Sequence, residues 1–171
     1  MLAGSRALTA PLAGERARGL AILLLTAAAV VGLDHLLKWL VVRSIALGDQ
    51  VPSSGPITIH HIRNTGAAFG LARDFPAAQT FFLAVAAVVS AYILVAGHRF
   101  GTGPLTQITL GLILGGATAN AVDRFAQGYV VDYVDLHRWP VFNLADACIV
   151  VGILVAVLAF GRAEQRDQGP A

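Results

Sequence analysis

Four nearly uncharged stretches, each close to the length of a membrane span, decide what this 171-residue chain can fold into. A helix needs about 20 apolar residues to cross the hydrocarbon core of a bilayer. Residues 20–42 meet that length, interrupted by Asp34, His35 and Lys38. Residues 76–97 and 104–122 carry no charge at all, and residues 141–161 carry one, Asp146, near their start. Charged residues make up 13% of the chain, against about a quarter in a soluble domain. The expectation is an all-α membrane protein with four transmembrane helices in one domain spanning residues 1–171. Residues 1–13 and 163–171 read as mobile tails. A net charge of +2 gives no reason to expect a nucleic-acid partner. The single cysteine, Cys148, has no partner for an internal disulfide and reads as packing in an apolar run.

Arg6, Arg16 and Arg18 ahead of LAILLLTAAAVVG have the pattern of a secretory leader. The apolar pattern continues past Asp34 through LLKWLVV, which favours a retained first span. Charge says little about orientation. With both ends cytoplasmic, Arg6, Arg16, Arg18, Arg99, Arg162 and Arg166 lie on that side, and Lys38, Arg43, Arg63, Arg73, Arg124 and Arg138 on the other. This six-to-six balance is no positive-inside bias. The basic residues flanking the first and last spans favour cytoplasmic termini.

Whichever way the bundle points, four spans bring certain ends together. The end of the first, the start of the second, the end of the third and the start of the fourth share one face. Asp34, Lys38, Asn64, Asn120, Asp123, Arg124, Asp132, Asn143 and Asp146 therefore converge there. Each has a structural explanation beside a functional one. Asp34 and Lys38, four apart, face the same way on a helix, as an ion pair or as substrate contacts. Asn143 and Asp146 have the spacing of a helix capping box. Asp123 stands at a helix C-terminus, where the dipole disfavours an acid, and adjacent Arg124 is expected to brace it. Gly111 and Gly115 have the spacing of close helix packing. In the long loop, ITIHHI alternates as a strand does, placing His60 and His61 on opposite faces, poor geometry for joint metal binding. RNTGAAFGLA, with Phe69, suits a segment at the membrane surface.

No serine-nucleophile or zinc-peptidase motif is present, so carboxylates carry the chemistry. Two carboxylates across one water can hydrolyse an amide, one accepting a proton and the other donating one. Placed close together they share a proton, because like charges cannot both ionise easily. Asp146 is one candidate; spacing alone leaves Asp132 and Asp135 equal as its partner. The rival is a proton-coupled transporter or channel using the aspartates as a relay. It calls for charges deep within the spans, and the second and third have none.

DHLLK (34–38), RNTGAAFG (63–70), GGATANAVDR (115–124), VVDYVD (130–135) and FNLAD (142–146) follow one another in that order. Together with four spans they resemble bacterial lipoprotein signal peptidase, or signal peptidase II, over nearly the whole chain. The resemblance implies an aspartyl intramembrane peptidase of the inner membrane. Such enzymes remove the signal peptide of a prolipoprotein just before a diacylglyceryl-modified cysteine. It also implies cytoplasmic termini, an active site near the periplasmic surface, no metal or organic cofactor, and inhibition by globomycin. The family's catalytic pair falls on Asp132 and Asp146, leaving Asp135 as a supporting or neutral residue. Asp34, Lys38, Asn64, Gly66, Asn120, Asp123, Arg124, Asn143 and Ala145 would surround the pair. The loop before the second span would form a small β cradle and a surface segment on the periplasmic side. Ala119 stands where the family usually has glycine, and Tyr133 where phenylalanine is common.

Overall fold

Between lipid-bathed helices there is little hydrophobic driving force, so close backbone approach through small residues has to hold them together. In the computed structural model, which describes residues 13–66 and 77–167, glycines of the third long helix supply that approach. The elements are α1 (Ala13–Ser44), β1 (Gln50–Val51), β2 (Thr58–Asn64), α2 (Ala78–Ala96), α3 (Pro104–Gln127), β3 (Val130–Asp135) and α4 (Leu144–Asp167). A 3-10 turn, Gly97–Phe100, follows α2.

Helix α3 lies at the centre and touches the other three. A Cβ added at Gly111 would stand 2.7 Å from the Cβ of Thr26 and 2.8 Å from the carbonyl of Leu23. At Gly115 it would stand 2.7 Å from the Cβ of Val30. The expected packing role of these two glycines is thus met against α1. Gly116 does the same toward α4, where an added Cβ would strike the carbonyl of Ala145. Leu23, Ala27, Ile93, Leu110 and Leu114 fill the buried seam. Outward side chains such as Leu25, Val95 and Val157 are 71%, 75% and 65% exposed, as lipid-facing helices require.

Among the described residues, three helices are long and apolar enough to cross a membrane: Ala13–Ser44, Gln79–Phe100 and Pro104–Gln127. The apolar part of α4, Leu144–Ala159, is shorter. Several boundaries differ from expectation. The first helix begins at Ala13 and so takes in Arg16 and Arg18. The fourth begins at Leu144 because Phe142 is drawn into a bridge with Val134 and Asn143 serves as the cap. Its backbone stays helical to Asp167, through part of the expected tail 163–171. Residues 1–12 of the expected tail 1–13, residues 168–171 of the expected tail 163–171, and most of the surface segment, including Phe69, lie outside the described residues.

The strands form one antiparallel sheet in the order β1-β2-β3. The strand read from ITIHHI is present as β2, but its alternation is broken by a register shift between Ile59 and Ile62, so that Thr58 and His61 are its buried residues. Strand β3 lies in the connection between the third and fourth apolar stretches, where VVDYVD alternates and is rich in β-branched and aromatic residues, which favour a pleated surface. It starts at once after α3 because Gly128, at φ 76°, closes that helix in the left-handed conformation. The register pairs Ile62 with Asp132 and Asn64 with Val130. Val41, Val131 and Tyr133 anchor the sheet to the end of α1.

Candidate active site

The polar residues do meet at one end of the helices. Lys38 is buried, and its ammonium lies 2.6 Å from Asp34, 2.6 Å from Asp123 and 3.0 Å from the Asn120 side-chain oxygen. A buried cation is tolerable only with such partners. Asp34 in turn accepts the backbone N–H of Ala145 at 2.9 Å, one of the donors the first turn of α4 leaves unpaired. Helices α1, α3 and α4 are therefore tied together through charge where their ends converge.

Asn143 and Asp146 form the expected capping box. The Asn143 side-chain oxygen accepts the Asp146 N–H at 2.9 Å, and the Asp146 carboxylate accepts the Asn143 N–H at 3.3 Å. Capping does not exhaust Asp146, whose other oxygen accepts the Asn120 amide at 2.7 Å. Asn120 is held in that orientation because its own oxygen takes donors from both Lys38 and Asn143, the latter at 3.2 Å. Lys38 thus aims an amide at Asp146 without touching it.

Asp132 is buried in β3 and receives two amides, Asn143 at 2.7 Å and Asn64 at 2.8 Å. Burial, reinforced by the nearby charge of Asp146, pushes its carboxyl up to about 7 against the opposing effect of those hydrogen bonds and of Lys38. Fully buried Asn143 thus links the two carboxylates, capping one and donating to the other. Tyr133, beside Asp132, accepts the Leu144 N–H at 3.1 Å, and burial pushes its phenol up to about 12.

Gly66 contributes through its backbone. Its N–H donates to Asn64 at 2.9 Å and its carbonyl accepts Arg124 at 3.3 Å. Arg124 also reaches the Asn120 carbonyl at 3.4 Å and stands 4.9 Å over the Phe82 ring. This corrects the expected Asp123–Arg124 brace. Consecutive helical residues point about 100° apart, and Asp123 turns to Lys38 and His35, the latter at 3.4 Å. His35, Phe82 and the Tyr133 hydroxyl were not anticipated as parts of this end. His35 and Tyr133 adjoin motif aspartates, which was the available hint; nothing local marked Phe82. Asp135 lies apart, accepting the His137 N–H at 2.7 Å and facing His60 at 3.3 Å. Among the described residues, no group of three or more His, Cys, Asp or Glu is arranged to hold a metal ion.

Fold and site together define a multi-pass membrane protein with two amide-held carboxylates gathered at one end of its helices. The family model described as "Signal peptidase (SPase) II" matches residues 26–161. The chain is 34% identical over 137 residues to the lipoprotein signal peptidase of Halothermothrix orenii, covering 80% of this chain and 92% of that one. It is 37% identical over 167 residues to the lipoprotein signal peptidase of an Azoarcus species, covering 92% and 95%. A bacterial membrane enzyme solved by the in meso method at 2.3 Å superposes with a TM-score of 0.75 at 24% identity, over 88% of this chain and 94% of that chain. The chain belongs to the signal peptidase II family of proteases. That membership sets the transporter reading aside.

Proposed function

We propose that the chain hydrolyses the signal peptide from diacylglyceryl-modified prolipoproteins just before the lipid-bearing cysteine, with Asp132 and Asp146 as the catalytic pair. The observation that carries this reading is the link through Asn143, which donates its side-chain amide to the Asp132 carboxylate and its backbone N–H to the Asp146 carboxylate. The pair shares one proton. The ionised carboxylate takes a proton from water as the water oxygen attacks the scissile carbonyl carbon, and the protonated one gives its proton to the carbonyl oxygen. When the tetrahedral intermediate collapses, the C–N bond breaks, the leaving amine takes up a proton, and the pair returns to its starting charge. A coupled pair titrates as a unit, so neither aspartate is assigned as the initial base.

Asn64, Asn120 and Asn143 orient the carboxylates, Lys38 with Asp34 and Asp123 orients Asn120, and Arg124 holds the Gly66 backbone beside the site. In this reading α4 is a fourth span, both termini are cytoplasmic, the sheet is a cradle at the periplasmic face of the inner membrane, and globomycin-type inhibitors occupy the carboxylate pair. The reaction uses no metal or organic cofactor and no nucleic acid. Membrane lipids surround the helices, and the substrate's acyl chains contribute about 0.8 kcal/mol per buried methylene.

The test is to incubate the purified full chain with one precursor, diacylglyceryl-modified or unmodified, and identify products by mass spectrometry. Cleavage of the modified form alone, with the lipid-bearing cysteine as the new N-terminus, is expected. Equal cleavage of both, or a cut elsewhere, contradicts the substrate assignment.

A further inference from the structure

Asp146 does more than face its partner: it also stands at one end of a groove of about 300 Å³. Leu136 and Trp139, from the connection between β3 and α4, form one wall, and Ala147, Val150 and Val151 of α4 form the other. From the geometry we infer that this groove is an acyl-chain slot, which holds one fatty-acyl chain of the lipid-modified substrate. The inference rests on the peptidase reading given above.

Three features select that occupant. First, apart from the Asp146 carboxylate the lining side chains are apolar. A peptide backbone laid there would leave its N–H and C=O groups unpaired, whereas a hydrocarbon chain has none to satisfy. Second, the groove has a direction. Positions 146, 147, 150 and 151 share one face of α4, and the last lies about 7.5 Å along the helix from the first at 1.5 Å per residue. An occupant therefore starts at the carboxylate and runs into the apolar part of α4. Third, the bond cut lies next to a cysteine whose sulfur carries the lipid. The acyl chains consequently start a few bonds from the carbonyl held at the carboxylates, at the end of the groove where Asp146 stands.

The outer wall is built before any substrate arrives. Val134 and Phe142 exchange backbone hydrogen bonds of 2.8 and 3.1 Å, and the His137 N–H is held by Asp135 at 2.7 Å. These bonds brace the connection that carries Leu136 and Trp139, so a chain entering the groove meets a formed surface and little ordering cost. Asp135, on this account, supports the slot's wall and stays out of the chemistry.

Filling the slot tests it. Val150 is 54% exposed, so Val150→Trp adds bulk on the lipid side of α4 without entering the helix seams. The full chain and the variant are compared on one precursor peptide whose cysteine carries a dipalmitoyl or a diacetyl glyceryl group. The expected result is a KM for the dipalmitoyl substrate raised about tenfold or more, the equivalent of losing about two buried methylenes. Its kcat is retained, and the KM for the diacetyl substrate changes little. An equal loss on both substrates would mean that the groove holds peptide. No change on either would mean that it holds bulk lipid or nothing. Either result overturns the slot while leaving the peptidase reading intact, whereas failure of the unsubstituted chain to cleave either substrate overturns that reading itself. Should Val150→Trp not fold, Val151→Trp on the same wall reads the same quantity.

Discussion

Strand β3 carries two aspartates three residues apart, and they live in opposite environments. Asp132 is buried, takes two asparagine amides and sits near Asp146. Asp135 lies on the opposite face of the strand, between His60 and His137. Their acidities move in opposite directions. Burial and a neighbouring carboxylate raise Asp132 to about 7, whereas the His137 N–H, chiefly, pulls Asp135 below the usual carboxylate range. Odd spacing on a strand explains the split, because residues three apart point to opposite faces. An aspartate in a motif is therefore not defined by its neighbours in sequence but by which face of the strand it is on.

The strongest way to break the comparison is to neutralise the members of the pair. Asp132→Asn and Asp146→Asn should each lower kcat by about 10²–10⁴-fold or more while leaving the folded protein and its substrate binding in place. Turnover of a diacylglyceryl-modified precursor measures the loss, and near-normal turnover by either variant removes that residue from the pair. Next in size is Lys38→Met. It strands Asp34 and Asp123 in a buried setting, a loss of about 3–5 kcal/mol, read as a lowered unfolding temperature in detergent. Tyr133→Phe removes the acceptor for the Leu144 N–H and should cost about 1 kcal/mol of stability. A larger drop in turnover than in stability would show that the hydroxyl also positions Asp146. Smallest is Asp135→Asn, expected to stay within about twofold of normal kcat, since Asp135 accepts no bond from the site. A change that small means little transition-state stabilisation has been lost. A thousandfold loss there would erase the distinction between the two faces.

Much of this arrangement was legible in the chain before its fold. Long apolar stretches dictate helices, and the shared end follows from antiparallel connection alone. Spacing also announced the Asn143–Asp146 capping box, the Asp34–Lys38 pair and the Gly111–Gly115 contact, because each is local to one helix. The contacts that escaped are those whose partners are far apart in sequence. Lys38 reaches Asp123 across 85 positions, and Arg124 reaches Gly66 across 58; no periodicity encodes either. Asp123 and Arg124 seemed natural partners because they are adjacent, yet adjacency on a helix separates side chains. Strand β3 escaped because each of its faces mixes apolar and acidic residues, Val131 and Tyr133 with Asp135, and Val130 and Val134 with Asp132, so no clean apolar face marks it. Choosing Asp132 over Asp135 rested on resemblance, and the two faces of that strand now give a physical reason for the same choice.

The central claim is that Asp132, buried beside Asp146, shares one proton with it near neutral pH. Since its folded value lies above the ordinary 3.8, the protonated form is favoured by folding. Its contribution to stability is present in acid and is lost as pH rises through about 7. The direct measurement is infrared difference spectroscopy of the full chain across that range, following the carboxylic acid C=O band. The account predicts a protonated carboxyl that titrates near 7, is retained in Asp135→Asn, and no longer titrates there in either Asp132→Asn or Asp146→Asn. A band that survives Asp132→Asn, or that vanishes with Asp135→Asn instead, would contradict it.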